Sequence, residues 1–235
     1  MLLGVEGRRL FSRRPITVRG GTVLEASVAF PLNPEAMNVQ ESRVRTPYGE
    51  FLLRPRSLSV LDALTPPDGN VVRVRFLSPV LLSSLLQLPP SLWSRFRGRG
   101  SSFTVPSPGL ILGSAYKVYQ GARGRREEDE RVFRLVTLAN SLSRVTDFRM
   151  RPVTVALGED RDGRLRKVRG VTGWIEFHLP QELRGTLKYL MVGSYLGIGR
   201  SRGIGLGEIQ VEVGDERTSR EAEGRGDLSG EAGPS

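Results

Sequence analysis

Hydrophobic and polar positions after residue 70 follow periods that predict alternating strands and helices. At 71–77, Val72, Val74 and Phe76 alternate with arginines, which indicates a strand with one apolar and one basic face. Further strand patterns cover 152–157, 168–179 and 208–213, and helical patterns cover 110–119, 127–142 and 180–195. This order predicts an α+β fold: a ferredoxin-like (RRM-like) βαββαβ domain with a helical insertion in its first crossover. Ser78 and Pro79 are predicted to cap and start the first of these helices.

The chain is expected to have three parts. Residues 1–70 predict a small β-rich N-terminal unit, either independent or a reduced second ferredoxin-like domain, with a strand at 22–31 and a hairpin at 40–54 around a Pro/Gly turn. A Pro- and Gly-containing linker at 65–70 separates it from the ferredoxin-like domain at 71–214. Residues 215–235 hold almost no core-forming side chains, which predicts a disordered tail.

The composition excludes several classes of site. The chain of 235 residues has no cysteine and one histidine, His178, so disulfides, thiolate zinc sites and cysteine nucleophiles are ruled out. A Ser-His-Asp triad would have to use His178. We therefore expect no metal and no cofactor. Because no apolar run approaches the ~18 to 20 residues of a membrane span, we expect a soluble, cytoplasmic protein that makes no membrane contact.

The charge is strongly positive and comes mainly from arginine. The net charge is +10, and the last 21 residues carry six acidic residues against three arginines, so residues 1–214 carry +13. A body this basic predicts a polyanionic partner, either a nucleic acid or an anionic membrane surface. Arginine binds phosphates through two parallel hydrogen bonds, although genome composition alone explains an arginine bias equally well.

A glycine-rich segment, GIGRSRGIGLG, lies between the last predicted helix and the last predicted strand. Glycines at this spacing allow positive φ and leave backbone N–H groups open to an anion, while arginines supply fixed charge. A dinucleotide fingerprint is excluded, because its glycines follow a strand and open a helix. We predict a phosphate-backbone site in preference to a flexible linker. Its residues are Gly197, Gly199, Arg200, Ser201, Arg202, Gly203, Gly205 and Gly207.

A second candidate surface lies on the strand before the last helix. Ile175, Phe177 and Leu179 share one face, so Trp174, Glu176 and His178 share the other. RRM-type domains stack RNA bases on the open face of the sheet, where the first strand's arginines also fall. The predicted contacts are Arg73, Arg75, Trp174 and His178. The alternative is that this face packs against the N-terminal unit.

Three stretches resemble a known family. GIGRSRGIGLGEIQVEV is similar to the C-terminal glycine-rich loop of the repeat-associated RNA-binding superfamily (RAMP) of CRISPR systems, most closely the repeat-processing endoribonucleases. VVRVRFLSPV resembles the opening strand of their second domain, and VPSPGLILGSAYKVY a helix that follows it. The resemblance implies a ferredoxin-like fold, usually two in tandem, that binds repeat RNA. It also implies cleavage without metal, leaving a 2′,3′-cyclic phosphate and a 5′-hydroxyl.

The chain departs from that pattern in two ways. Only about 70 residues precede the ferredoxin-like domain, and the first-domain histidine that is the general base in many relatives is absent. The catalytic residues are therefore unknown from sequence. We expect binding of CRISPR repeat RNA and processing of guide-precursor transcripts by 2′-hydroxyl attack. The alternative is a catalytically inactive RNA-binding or structural subunit of a CRISPR effector complex. The protein partners considered are a second copy of the chain and other effector subunits.

Overall fold

A four-stranded antiparallel sheet forms the centre of the computed structural model, which describes residues 65–96, 104–123, 129–159 and 163–215, together with short strands in the first 53 residues. The strands are β1 (Val71–Val80), β2 (Arg144–Glu159), β3 (Leu165–His178) and β4 (Ile209–Gly214). Their order across the sheet is β2-β3-β1-β4, and every neighbouring pair is antiparallel.

The helices occupy the two crossovers of this sheet. They are α1 (Pro90–Phe96), α2 (Pro108–Ala122), α3 (Asp129–Leu142) and α4 (Leu187–Leu196). Short 3-10 turns lie at Ser84–Gln87, Gln181–Thr186 and Arg202–Ile204. Three helices between β1 and β2 and one between β3 and β4 give a ferredoxin-like βαββαβ arrangement with extra helical material in the first crossover. The predicted fold class is therefore confirmed.

The core lies between the helices and one face of the sheet. Val72 and Val74 from β1 and Ile175 and Phe177 from β3 are each at most 1% exposed, as the sequence alternation predicts. They pack in one cluster with side chains from α2, α3 and α4. Burying a side chain of this size contributes about 1.5 to 3 kcal/mol. The opposite face of the sheet carries the polar residues of the same strands.

Two local predictions differ from the structure. Ser78 and Pro79 do not start a helix: both lie in β1, and the Ser78 Oγ accepts a hydrogen bond from the Glu208 backbone N–H at 2.9 Å. β2 begins at Arg144 rather than 152. It is an edge strand with both faces largely exposed, so the sequence shows no alternation there to mark its first half.

The N-terminal part contains a hairpin at the predicted place. Strands Ser42–Thr46 and Gly49–Leu53 pair antiparallel, with Thr46 opposite Gly49. Two-residue strands precede them at Gly4–Val5, Arg8–Arg9, Phe11–Ser12, Thr17–Val18, Leu24–Glu25 and Val28–Ala29. The remaining residues before 65, and the predicted tail after Asp215, lie outside the described residues. The division of the chain into three parts stays a prediction.

No helix in the described ranges combines the length and hydropathy that crossing a bilayer requires.

Candidate nucleic-acid interface

The glycine-rich segment, residues 197–207, leaves the end of α4 and folds back onto the end of β1. Gly197 caps α4 with φ 65° and donates its N–H to Gly193 O at 2.6 Å. The Arg200 N–H donates to Leu81 O at 2.9 Å, and the Gly207 N–H donates to Pro79 O at 3.0 Å. Both ends of the segment are thereby fixed to the same stretch of backbone, and residues 201–205 form its exposed tip.

Two glycines permit this close packing. A Cβ on Gly199 would lie 2.5 Å from the carbonyl oxygen of Leu81, and a Cβ on Gly207 would overlap the carbonyl oxygen of Ile198. Both residues also have positive φ, +80° and +78°. A side chain at either position would force the two backbones apart, so these glycines are needed for the shape of the segment.

The expectation that the glycine N–H groups are open to an anion is wrong for most of them. Gly199 donates to the Ser114 Oγ at 2.8 Å, and Gly205 donates to Arg202 O at 3.0 Å. With Gly197 and Gly207 also donating within the protein, four of the five glycine amides are occupied. The physical reason is that a buried N–H must find an acceptor, and here the neighbouring backbone supplies it.

The tip presents the groups that remain available. Within the described residues, the amides of Ser201 and Gly203 have no acceptor. Ser201 adopts the left-handed region with φ 61°, at a cost of order 1 kcal/mol for a residue that is not glycine. This geometry places two arginines, Arg200 and Arg202, on either side of Ser201.

A pocket of about 280 Å³ lies between the tip, α1 and α2. Three cationic side chains, Lys117, Arg200 and Arg202, contribute to its lining. The other lining residues are Ser83, Leu85, Leu86, Trp93, Ser114, Val118 and Gly199. The pocket therefore combines positive charge, two hydroxyls, apolar side chains and one indole ring.

Sequence reasoning missed two central residues of this pocket, Trp93 and Lys117. The Trp93 Nε1–H donates to Leu88 O at 2.8 Å, and the Lys117 Nζ lies 5.2 Å from the centroid of the Trp93 ring and 3.8 Å from the Asp129 Oδ1. Ser114 and Lys117 are three positions apart on α2, so they face the same side, and this spacing is a signal that could have found them. Trp93 carried no such signal.

The predicted surface on the sheet brings its residues together as expected. Arg75 lies opposite Trp174, and Arg73 lies opposite Glu176. The Arg73 guanidinium lies 4.6 Å over the Trp174 ring. His178, at the end of β3, is half-buried opposite Val71. None of these residues lines the pocket, so the described structure holds two separate candidate surfaces.

The arginines of the sheet surface are already paired with carboxylates. Arg73 binds one carboxylate oxygen of Glu176 through Nε at 2.9 Å and Nη2 at 2.8 Å, and the Thr146 hydroxyl donates to the other at 3.0 Å. Arg75 lies 3.3 Å from Glu212. Because Glu176 is only 7% exposed, its pairing with Arg73 is structural. This face has little unpaired positive charge to offer a polyanion.

We expect the substitution Arg73→Met to destabilise the domain, because it leaves the Glu176 carboxylate buried without its cation. Breaking a fully buried pair costs about 3 to 5 kcal/mol, and the partial exposure of Arg73 places the expected loss near the lower end. The double substitution Arg73→Met/Glu176→Leu should recover most of this loss. Urea unfolding of the two variants would measure both values, and equal stabilities would contradict a structural role for the pair.

The described residues provide no evident general base near the pocket. Burial raises the pKa of the Tyr189 phenol above its ordinary value, and the adjacent Tyr116 and Tyr119 raise it further. Tyr189 therefore stays protonated at neutral pH. Tyr116 and Tyr119 are less than 10% exposed and pack against Tyr189 with ring centroids 4.9 and 5.0 Å apart. In the described part of the chain, no cluster of three His, Asp or Glu side chains could hold a metal ion.

Comparison with known proteins finds consistent similarity to one family. Residues 74–209 match the family model described as CRISPR-associated endoribonuclease Cas6. Two Saccharolobus solfataricus proteins, CRISPR-associated endoribonucleases Cas6 1 and Cas6 2, are 40% and 42% identical, with each alignment covering 89% of this chain and 77% of the relative. A product complex of Thermus thermophilus Cas6 is 21% identical, with a TM-score of 0.49 and 66% of this chain covered. The chain spans 56% of that protein.

Proposed function

Since the chain belongs to the CRISPR-associated endoribonuclease Cas6 family, we propose that it binds CRISPR repeat RNA and processes guide-precursor transcripts. The proposed reaction is attack of a ribose 2′-hydroxyl on the adjacent phosphate. It breaks the bond to the 5′-oxygen and leaves a 2′,3′-cyclic phosphate and a 5′-hydroxyl. The nucleophile belongs to the RNA itself, so the chemistry needs no metal-activated water.

The convergence of three cations on the pocket beside the glycine-rich segment is the observation that carries RNA binding. Arg200 is exposed and has no ion-pair partner within the described residues, and Arg202 and Lys117 line the same pocket. Guanidinium groups bind phosphate oxygens through two parallel hydrogen bonds, which are stronger than neutral ones. A phosphate placed at the tip could also accept from the two available amides.

The predicted site residues then divide into three roles. Arg200, Ser201, Arg202 and Gly203 make the direct phosphate contacts at the tip. Gly197, Gly199, Gly205 and Gly207 give the segment the shape that presents them. Arg73, Arg75, Trp174 and His178 form a second, weaker contact surface, because binding there has to compete with Glu176 and Glu212 for the arginines.

The pocket is proposed as a binding site rather than the site of proton transfer. Cleavage needs a base within about 3 Å of the 2′-hydroxyl and a cation to stabilise the pentacoordinate phosphate. The pocket lining supplies cations and hydroxyls but neither an imidazole nor a carboxylate. We therefore place the general base outside this pocket. A second copy of the chain and other CRISPR effector subunits stay the proposed protein partners, and the cytoplasm the proposed compartment.

Incubation of the purified protein with repeat RNA in EDTA tests the proposal. We expect one cut per repeat, with a 2′,3′-cyclic phosphate on the upstream product, because the attacking hydroxyl is part of the substrate. A repeat RNA carrying 2′-deoxyribose at the cut position is the control, and it should be bound but not cut. RNA that is shifted tightly yet remains whole would favour the inactive binding subunit, and RNA that is neither shifted nor cut would refute the proposal.

A further inference from the structure

We propose that the pocket beneath the glycine-rich segment holds a single unpaired nucleotide of the RNA, with its base against Trp93 and its phosphate at Lys117 and Arg200. The inference rests on the proposed function and deepens it, because it assigns a specific part of the substrate to a specific part of the site. It predicts that recognition depends on one unpaired base as well as on backbone charge.

The size of the pocket limits what can enter. Its volume of about 280 Å³ is close to the lower end of the ~300 to 1,000 Å³ typical of small-molecule sites. One nucleobase with its sugar fits a space of this size, whereas a base pair or a stretch of duplex does not. A nucleotide in the pocket therefore has to be unpaired and turned away from its neighbours.

The aromatic wall is fixed in place before any ligand arrives. The indole N–H of Trp93 is held by Leu88 O at 2.8 Å, and the ring packs against the hydrophobic core. Its side chain is half-buried and lines the pocket. Single-stranded RNA is commonly recognised by stacking unpaired bases on such rings, and a preformed ring loses little conformational entropy on binding.

The remaining walls separate an apolar part from a charged part. Leu85, Leu86 and Val118 give an apolar surface, while Lys117 and Arg200 place positive charge at the same opening. Ser114 accepts the Gly199 N–H at 2.8 Å, which couples α2 to the segment and keeps the two sides of the pocket at a constant separation. An apolar wall with a cationic rim suits a base on one side and its phosphate on the other.

The chain contains two tryptophans, Trp93 and Trp174, and this allows a direct test. In the variant Trp174→Phe, Trp93 is the single indole, and titration with repeat RNA should quench its fluorescence with the same midpoint as the gel shift. The matched variant Trp93→Phe reports on Trp174 alone. Binding of RNA without quenching in Trp174→Phe would overturn the pocket assignment and leave the proposed function intact. Absence of any gel shift would instead overturn the proposed function.

A second measurement locates the nucleotide. Repeat RNAs with one abasic position each should show a single unpaired position at which loss of the base weakens binding by about 5- to 150-fold, the range for one base–aromatic stack. The same abasic RNA should bind Trp93→Leu no more weakly than the intact RNA does. A penalty that is unchanged in Trp93→Leu would show that the base contacts another surface and would refute the proposal, as would the lack of any sensitive position.

Discussion

Gly207→Ala is expected to destabilise the ferredoxin-like domain by about 2 to 5 kcal/mol and to abolish tight RNA binding. The new Cβ would overlap the carbonyl oxygen of Ile198, and the backbone at position 207 has φ +78°. The left-handed conformation costs a residue with a side chain about 1 to 2 kcal/mol, and overpacking against a backbone atom typically adds about 1 to 3 kcal/mol. Relief of the overlap requires the two ends of the segment to separate, which displaces both arginines.

Gly205→Ala is the matched control for this substitution. Gly205 belongs to the same segment and has φ +89°, but a Cβ there would meet no atom within 4 Å. It should therefore show the conformational cost alone, about 1 to 2 kcal/mol, and keep its RNA affinity. Urea unfolding and RNA binding of both variants would measure the difference. Equal destabilisation by the two substitutions would mean that the close contact with Ile198 does not stabilise the segment.

The strands of the central sheet could be predicted because local periodicity reports which face is buried. In β1 and β3, alternation assigned Val72, Val74, Ile175 and Phe177 to the core, and all four are buried there. The same alternation placed Arg73 on the face opposite the core. It could not predict that Glu176 lies across from Arg73 and neutralises it, because that pairing depends on the strand order.

The pocket could not be predicted, because its residues come from parts of the chain that are far apart in sequence. Ser114 and Gly199, which are hydrogen-bonded to each other, are separated by 85 positions. Glycines at alternate positions also have two physical explanations, open amides or close backbone packing. The sequence favoured the first, whereas the Gly199 and Gly207 contacts show the second. Only the three-dimensional packing of the segment against β1 distinguishes them.

The double substitution Arg200→Ala/Arg202→Ala is expected to weaken the binding of repeat RNA by about 100-fold without unfolding the domain. A hydrogen bond to a charged group contributes about 1.5 to 3 kcal/mol, so two lost phosphate contacts account for a change of this size. The dependence of affinity on salt should fall as well, with the slope of log K against log salt reduced by about 1.4, since each single-stranded phosphate contact contributes about 0.7.

Arg134→Ala/Arg184→Ala is the control that separates position from charge. It lowers the net charge by the same amount, but both arginines are exposed and neither lines the pocket. Long-range attraction alone predicts equal weakening in the two pairs, whereas direct contact predicts that the control changes affinity by less than about 3-fold. If the pocket binds RNA and takes no part in proton transfer, the cleavage rate at saturating protein stays close to wild type in Arg200→Ala/Arg202→Ala, because uniform binding is lost while transition-state stabilisation is kept. A large fall in that saturated rate would place these arginines at the scissile phosphate, and an affinity that hardly changes with salt would favour a structural subunit.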